Sequence, residues 1–337
     1  MKTSVIDIGL KWSVPELTQA LSAGLRQDVP SLVIINTSGS TGINKRVQLS
    51  TAAIAASAKL SNTAIGAATG DIWSLLLPTN HIAGINVLAR AIILDSKIVG
   101  VDQPADFTAI VPTQLHRALS GDAQLLHHLK NCKAVLVGAS ATSKTLLAKA
   151  FESGINVITT YGMTETSGGC VYNNLPLPGV LIAISEDGLI KINGPILAQG
   201  YEGQEDLWSQ RFKDGWFTSN DLGEIIDDQI FVIGRADDVI ISGGEKISLI
   251  SIERELAENF PDTNFLATSI PDSEWGDKLC LLADGEFDQI KVSQLLHQNL
   301  GKQFVPKDYL IVAAIPQIGI GKPDRVKASK LFQDKQR

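Results

Sequence analysis

Cysteine is scarce in this chain of 337 residues: Cys132, Cys170 and Cys280 stand far apart, with no C-x-x-C pair among them. That excludes a zinc ribbon or a disulfide framework, and an odd trio of thiols suits a reducing compartment. No apolar run approaches the length of a membrane span, and Asp7 and Lys11 interrupt the modest hydrophobicity of the N-terminus. The cytoplasm is the expected location. A basic surface is missing as well. The net charge of −7 argues against broad contact with nucleic acid or anionic lipid, so any polyanion must be held locally by loops and a few cations. Small molecules are the expected partners. Internal repeats and low-complexity tracts are absent, and so is the G-x-G-x-x-G turn of a dehydrogenase-type Rossmann domain.

What is there is ordinary globular composition, 44% hydrophobic and 19% charged, in a length that suggests two domains with room for a buried core. One stretch organises the rest. INTSGSTGINKRV (Ile35 to Val47) follows the apolar run Leu32 to Ile35 and ends in two cations. Thr37, Ser38, Ser40 and Thr41 offer short hydroxyl donors, Gly39 and Gly42 leave backbone N–H groups bare, and Lys45 supplies a point charge. Such a loop can surround a polyphosphate. It is not a Walker loop, because only two residues separate its glycines and no Gly-Lys-Ser/Thr follows. Read alone, it is equally well explained as a surface turn.

Ser13-Val14-Pro15-Glu16 reads as a capping box ahead of a helix whose Leu17, Leu21 and Leu25 share one face, and Asp28-Val29-Pro30 ends it. Ser50 can cap the alanine-rich helix that runs to about Ile65. Strands expected at 72–77, 97–101, 108–111, 134–137 and 157–160 alternate with helical stretches near 84–94, 113–119 and 143–153. This is the rhythm of a layered α/β domain. After Gly168 the pattern changes to short strands punctuated by Gly, Pro and Asn, with GLIKINGP and GYEGQ as turn-rich segments, and helices largely disappear until about Ser248. The fold class is therefore α/β. A large N-terminal domain covers 1–234, layered α/β to about 168 and β-rich over 169–234, and a small α+β module covers 235–337.

Several segments recur in an order that is hard to produce by chance: TSGSTGINK (37–45), LPTNHIAG (77–84), YGMTET (161–166), GLIKINGP (188–195), GWFTSNDLG (215–223), GRADDVIISGGEKIS (234–248), IPDSEWGD (270–277) and GKPDR (321–325). Together they resemble the acyl-adenylate-forming superfamily of acyl-CoA ligases, luciferases and peptide-synthetase adenylation domains. Within it, AIVPTQLHRAL (109–119) and HIAGINVLARA (81–91) look most like the 2-succinylbenzoate-CoA ligases of menaquinone and phylloquinone biosynthesis. Three departures stand out. Only 35 residues precede Asn36, where members of the family carry an additional subdomain; Asn44 replaces the usual proline; and Arg46 replaces the usual glycine. The first could shrink a pocket wall or the surface of a homodimer, an assembly the resemblance allows; the other two could alter phosphate grip.

The resemblance implies an ATP-dependent acid–thiol ligase that uses Mg²⁺, joins a carboxylate to AMP and passes the acyl group to coenzyme A. Neither half-reaction needs a protein nucleophile, so catalysis would rest on positioning and charge stabilisation. By resemblance, Lys322 bridges the substrate carboxylate and the α-phosphate, Thr164 meets the α-phosphate, and Glu165 meets the Mg²⁺, a hard ion that favours oxygen. Thr37 to Gly42 and Lys45 would hold phosphates. Tyr161 and Gly138-Ala139-Ser140 would line the adenine, with core packing as the plainer reading of Tyr161. Asp221 would accept both ribose hydroxyls with Arg235 nearby, or the two would form only an ion pair between loops. His81 would stand beside the acyl pocket, its plainer role being a cap or core residue, and Arg90 would meet the distal carboxylate of succinylbenzoate or serve as a structural ion pair. Residues from about Asp238 onward would form a mobile lid hinged at Asp237, bringing in Lys322 for adenylation and the Gly243-Gly244 turn for thiolation. Another aryl or acyl acid, a carrier-protein acceptor, or a non-enzymatic nucleotide-binding remnant remain the alternatives.

Overall fold

The structure, a computed structural model, describes residues 4–26, 31–38, 44–261, 263–318 and 322–335. They divide into two compact units, one of 1–142, 146–219 and 224–231, the other of 143–145, 220–223 and 232–337.

The first unit is layered. A four-stranded sheet takes the order Ser4–Asp7, Ser31–Ser38, Asn44–Ser50, Gly200–Tyr201, its first pair parallel and the others antiparallel. A seven-stranded sheet runs from Leu175–Pro176 through Gly168–Tyr172, Val157–Met163, Ala134–Val137, Phe107–Ile110 and Trp73–Ser74 to Ile98–Val99. The strands from Val157–Met163 to Ile98–Val99 are mutually parallel, which puts their carboxyl ends on one edge. Helix Thr51–Ala64 touches both sheets, and Ile82–Leu94 packs between it, the helix Val14–Arg26 and the larger sheet. That placement explains the sequence INVLARAII, apolar on every side because both sides are covered. Against the opposite face of the larger sheet pack Leu115, Leu125, Leu129 and Ala150 from the helices Pro112–Leu119, Ala123–Asn131 and Lys144–Glu152.

Local signals behave as their chemistry dictates. Ser13 and Glu16 form the reciprocal box, Ser13 N–H donating to Glu16 Oε2 at 2.9 Å, and Leu17, Leu21 and Leu25 of Val14–Arg26 are buried. Ser50 Oγ accepts from Ala53 N–H at 3.0 Å and starts Thr51–Ala64. Two expected strands come out short. These are Trp73–Ser74 and Ile98–Val99; past Ser74, Leu75 N–H still donates to the Val99 carbonyl at 3.0 Å and the Leu76 carbonyl accepts from the Gln114 side-chain amide at 2.9 Å. The helix Ala123–Asn131, capped by Asp122, was not foreseen, and Glu205–Arg211 is a helix of seven residues in the stretch expected to be β-rich.

The second unit carries a sheet ordered Glu245–Ser248, Val239–Ser242, Gly276–Ala283, Phe265–Asp272, with Asp308–Ile311 parallel to Gly276–Ala283. Leu279 and Leu281 join Ile252, Leu256, Val292 and Leu296 on one face, while Cys280 and Leu282 join Ala328 and Phe332 on the other. Alternation along one strand thus fills two cores, which is why LCLLA (279–283) is apolar without a break. No described helix is long and apolar enough to cross a membrane.

Candidate active site

Three of the anticipated segments leave the parallel strands at their shared carboxyl edge, the usual ligand position in α/β sheets: 138–140 after Ala134–Val137, Thr164-Glu165 after Val157–Met163, and His81 beyond Trp73–Ser74. Each is shaped by backbone constraint. At Gly138 a Cβ would lie 2.3 Å from Thr160 Oγ1, and Ala139 takes φ +74, a left-handed value rare without glycine. A Cβ on Gly162 would sit 2.0 Å from the Gly168 carbonyl oxygen, so YGMTE can pass that strand only with glycine there. His81 precedes Ile82–Leu94 as N-cap without a side-chain cap bond, and Gly84 lets the helix press against Pro78 O, 2.3 Å from where a Cβ would be.

Thr164, Glu165 and Thr166 form one 3-10 turn. Ser167 ends it at φ +50, and its carbonyl accepts from Ser57 Oγ at 2.9 Å and Asn86 Nδ2 at 2.7 Å. Helices from the middle layer therefore hold the turn from behind. Thr164 is buried; Glu165 is half-buried, and its Oε1 accepts from Tyr201 Oη at 2.8 Å. Tyr201 itself pairs with Val47 across the four-stranded sheet, and its ring lies 5.0 Å from the ammonium of Lys45. Burial, and then the neighbouring Glu165 charge, hold the Tyr201 phenol above the usual range, so it stays a donor. Lys45 and Glu165 are 120 residues apart in sequence and share one aromatic neighbour.

In the phosphate-loop candidate, Thr37 faces Lys45 in the register of the Ser31–Ser38 and Asn44–Ser50 hairpin, and Ser38 ends the first strand. Gly39, Ser40, Thr41 and Gly42 lie outside the described residues, as does the Ser38 side chain. Arg46, standing where the family has glycine, pairs with Asp7 at 2.9 Å and with Glu202. The Arg46 hydrogen bond holds the Asp7 carboxyl below the usual range.

Arg90 lies on Ile82–Leu94 and is only 4% exposed. Its Nε donates to Ser61 Oγ at 2.7 Å, its Nη2 to Tyr172 Oη at 3.2 Å, and its guanidinium carbon is 5.3 Å from the Trp73 ring centroid. Among the described residues no carboxylate comes within ion-pair distance of it. The structural ion pair considered above for Arg90 is therefore not what these residues form.

Asp221 and Arg235 belong to the second unit and meet there, Nη1 to Oδ1 at 3.1 Å, while Arg235 also forks onto Asp237 at 2.9 and 3.0 Å. Asp237 and Asp221 together hold the guanidinium above its ordinary pKa against the opposing effect of burial. Gly243 and Gly244, at φ +59 and +84, make the two-residue turn of a tight hairpin. Lys322 starts a two-residue strand paired with Gln317–Ile318; its side chain lies outside the described residues. Tyr161 is half-buried in Val157–Met163 opposite Val171.

The AMP-binding enzyme family matches residues 26–185. A probable 2-succinylbenzoate–CoA ligase of Mycobacterium tuberculosis is 31% identical over 343 residues, covering 94% of this chain and 88% of the relative. The chain belongs to the AMP-binding enzyme family. The 2-succinylbenzoate–CoA ligase of Lactococcus lactis is 28% identical to it, over 95% of this chain and 75% of the relative. An o-succinylbenzoate CoA synthetase from Bacillus subtilis, solved with the acyl-adenylate intermediate OSB-AMP, shares the fold at a TM-score of 0.77 and 24% identity, over 88% of this chain and 68% of that one. In this AMP-binding enzyme the sequence motifs missed Tyr201 altogether. GYEGQ carries it, but nothing local in that turn-rich segment announces a partner at Glu165.

Proposed function

We propose that the chain is an AMP-forming acid–CoA ligase that adenylates 2-succinylbenzoate with ATP and transfers the acyl group to coenzyme A. The observation that carries the choice of acid is Arg90. A guanidinium buried without a carboxylate costs stability unless an anion reaches it, and its present partners are neutral hydroxyls and a ring face. One face of Ile82–Leu94 runs along Gly168–Tyr172, Asn86 bonding Ser167 at one end and Arg90 bonding Tyr172 a helical turn further. A dicarboxylic acid laid along that face would present its reacting carboxylate towards Thr164 and its distal one to Arg90.

The residues suit Mg²⁺ carried by a nucleotide. Among the described residues no group of three or more His, Cys, Asp or Glu could cage a metal. One carboxylate is the expected protein share for an ion that keeps its waters and binds substrate phosphates, and Glu165 supplies it. When bound, the ion would neutralise phosphate charge as pyrophosphate leaves. Thr164 and Lys45 would hold the phosphates in line; neither acts as a nucleophile. Asp221 and Arg235 would take the ribose, Tyr161 and Gly138-Ala139-Ser140 the base, and His81 the acyl side. Lys322 would serve adenylation and the Gly243-Gly244 turn thiolation, with Asp237 as the hinge of a lid.

The test is acid-dependent exchange of labelled pyrophosphate into ATP across a panel of aromatic and aliphatic acids. Exchange with 2-succinylbenzoate well above benzoate and fatty acids supports the reading. Exchange only with monocarboxylic acids contradicts the role of Arg90 while sparing adenylation.

A further inference from the structure

Tyr201 touches both Glu165 and Lys45: its hydroxyl is 2.8 Å from Glu165 Oε1 and its ring 5.0 Å from Lys45 Nζ. It is 2% exposed, and three constraints fix it. Its backbone pairs with Val47, two residues beyond Lys45; Ala198 N–H donates to the Glu165 carbonyl at 2.8 Å; and Trp208 stands edge-on to its ring at 5.2 Å. The strand Gly200–Tyr201 thus splices the edge of the smaller sheet to the turn that ends Val157–Met163.

We infer that Tyr201 is a positioning residue that sets the spacing between the metal-binding carboxylate and the phosphate-binding ammonium. This rests on the reading that Glu165 meets the magnesium of a bound nucleotide and Lys45 its phosphates. The mechanism divides cleanly within one side chain. A phenol donating to Oε1 leaves Oε2 as the free acceptor, so a carboxylate able to rotate presents one oxygen in one direction. The face of the same ring gives the lysine ammonium a seat, and among the described residues no carboxylate pairs with it, which leaves its charge for a polyanion. A tyrosine does both with two rotatable bonds, so little ordering is left to be done when nucleotide arrives.

The two arms separate by substitution. Tyr201→Phe keeps the ring, the contact with Trp208 and the lysine seat, and deletes only the hydroxyl. Tyr201→Leu deletes both. Equilibrium titration of the full chain with ATP, with and without Mg²⁺, reads the two effects apart from turnover. Tyr201→Phe is expected to weaken ATP binding about 10-fold or more in Mg²⁺, the usual effect of losing an outer partner of a metal ligand, and to leave binding without Mg²⁺ unchanged. Tyr201→Leu is expected to weaken the metal-free binding as well, by about threefold. In a Glu165→Gln background, Tyr201→Phe should add nothing. Equal weakening by Tyr201→Phe with and without Mg²⁺, or an undiminished effect in the Glu165→Gln background, overturns the inference, because a merely structural tyrosine would behave so. Should the unaltered chain bind ATP no better with Mg²⁺ than without, the metal reading itself fails and takes the inference with it.

Discussion

Arg325 grips Glu253 through both terminal nitrogens of its guanidinium, Nη2 lying 3.1 Å from Oε2 and Nη1 against Oε1. The same side chain donates to Asp238 at 2.7 Å and to the Ala267 carbonyl at 2.7 Å. Arg325 follows Lys322 by three residues, and Asp238 follows the proposed hinge by one. One arginine therefore ties the segments that carry Lys322 and the proposed hinge to the helix Leu249–Asn259 and the sheet of the second unit.

Replacing Arg325 by Met leaves Glu253 and Asp238 without their cation. Each of Arg325 and Glu253 keeps nearly a fifth of its side chain exposed, so the loss should fall at about 2–4 kcal/mol, a little below the range for a fully buried pair. Denaturant unfolding of the second unit measures it, and the double variant Arg325→Met/Glu253→Leu should recover part of the loss. Recovery of none would mean that the arginine acts through Asp238 and Ala267 instead.

Arg90→Ala should raise the KM for 2-succinylbenzoate about 10- to 100-fold, the worth of one charged hydrogen bond, with ATP binding unchanged. Steady-state kinetics with the acid varied measures the split. An unchanged KM would reduce Arg90 to packing against Trp73.

Much of this architecture is legible in the chain because its signals are local. Ser13 and Glu16, Ser50, and the leucines of the first helix each act within a few residues, and strand alternation follows from which faces are covered. The joins across sequence are not local. Arg46 reaches Asp7 and Glu202, Arg325 reaches Glu253 and Tyr201 reaches Glu165 over 36 to 156 residues, distances at which no periodicity reports a partner. For Arg46 the consequence is specific: a residue that looks like a damaged glycine position serves as a clamp between the first strand and the end of Gly200–Tyr201.

His128 should make stability fall in mild acid. Burial lowers its pKa below the ordinary 6.5, and Nε2 shares a 2.7 Å hydrogen bond with Ser74 Oγ. The unfolded chain then takes up a proton near 6.5 while the folded one does not, so the contribution is complete above that pH and is lost as pH falls towards the lower folded value. The urea midpoint should drop between about pH 7 and pH 5, and His128→Gln should flatten the drop.

The three cysteines should be silent in the folded protein. All are buried, and burial pushes the thiols of Cys132 and Cys280 up to about 12. Iodoacetamide at about pH 8 should label none until denaturant is added, as read by intact-mass spectrometry. Labelling of Cys132 in the native protein would show that its core opens.

The most direct test of the central claim is the product analysis of one reaction mixture holding the protein, ATP, Mg²⁺, coenzyme A and 2-succinylbenzoate. The account predicts 2-succinylbenzoyl-CoA together with equal amounts of AMP and pyrophosphate. Release of ADP and phosphate, or AMP formation that does not depend on the acid, would contradict it.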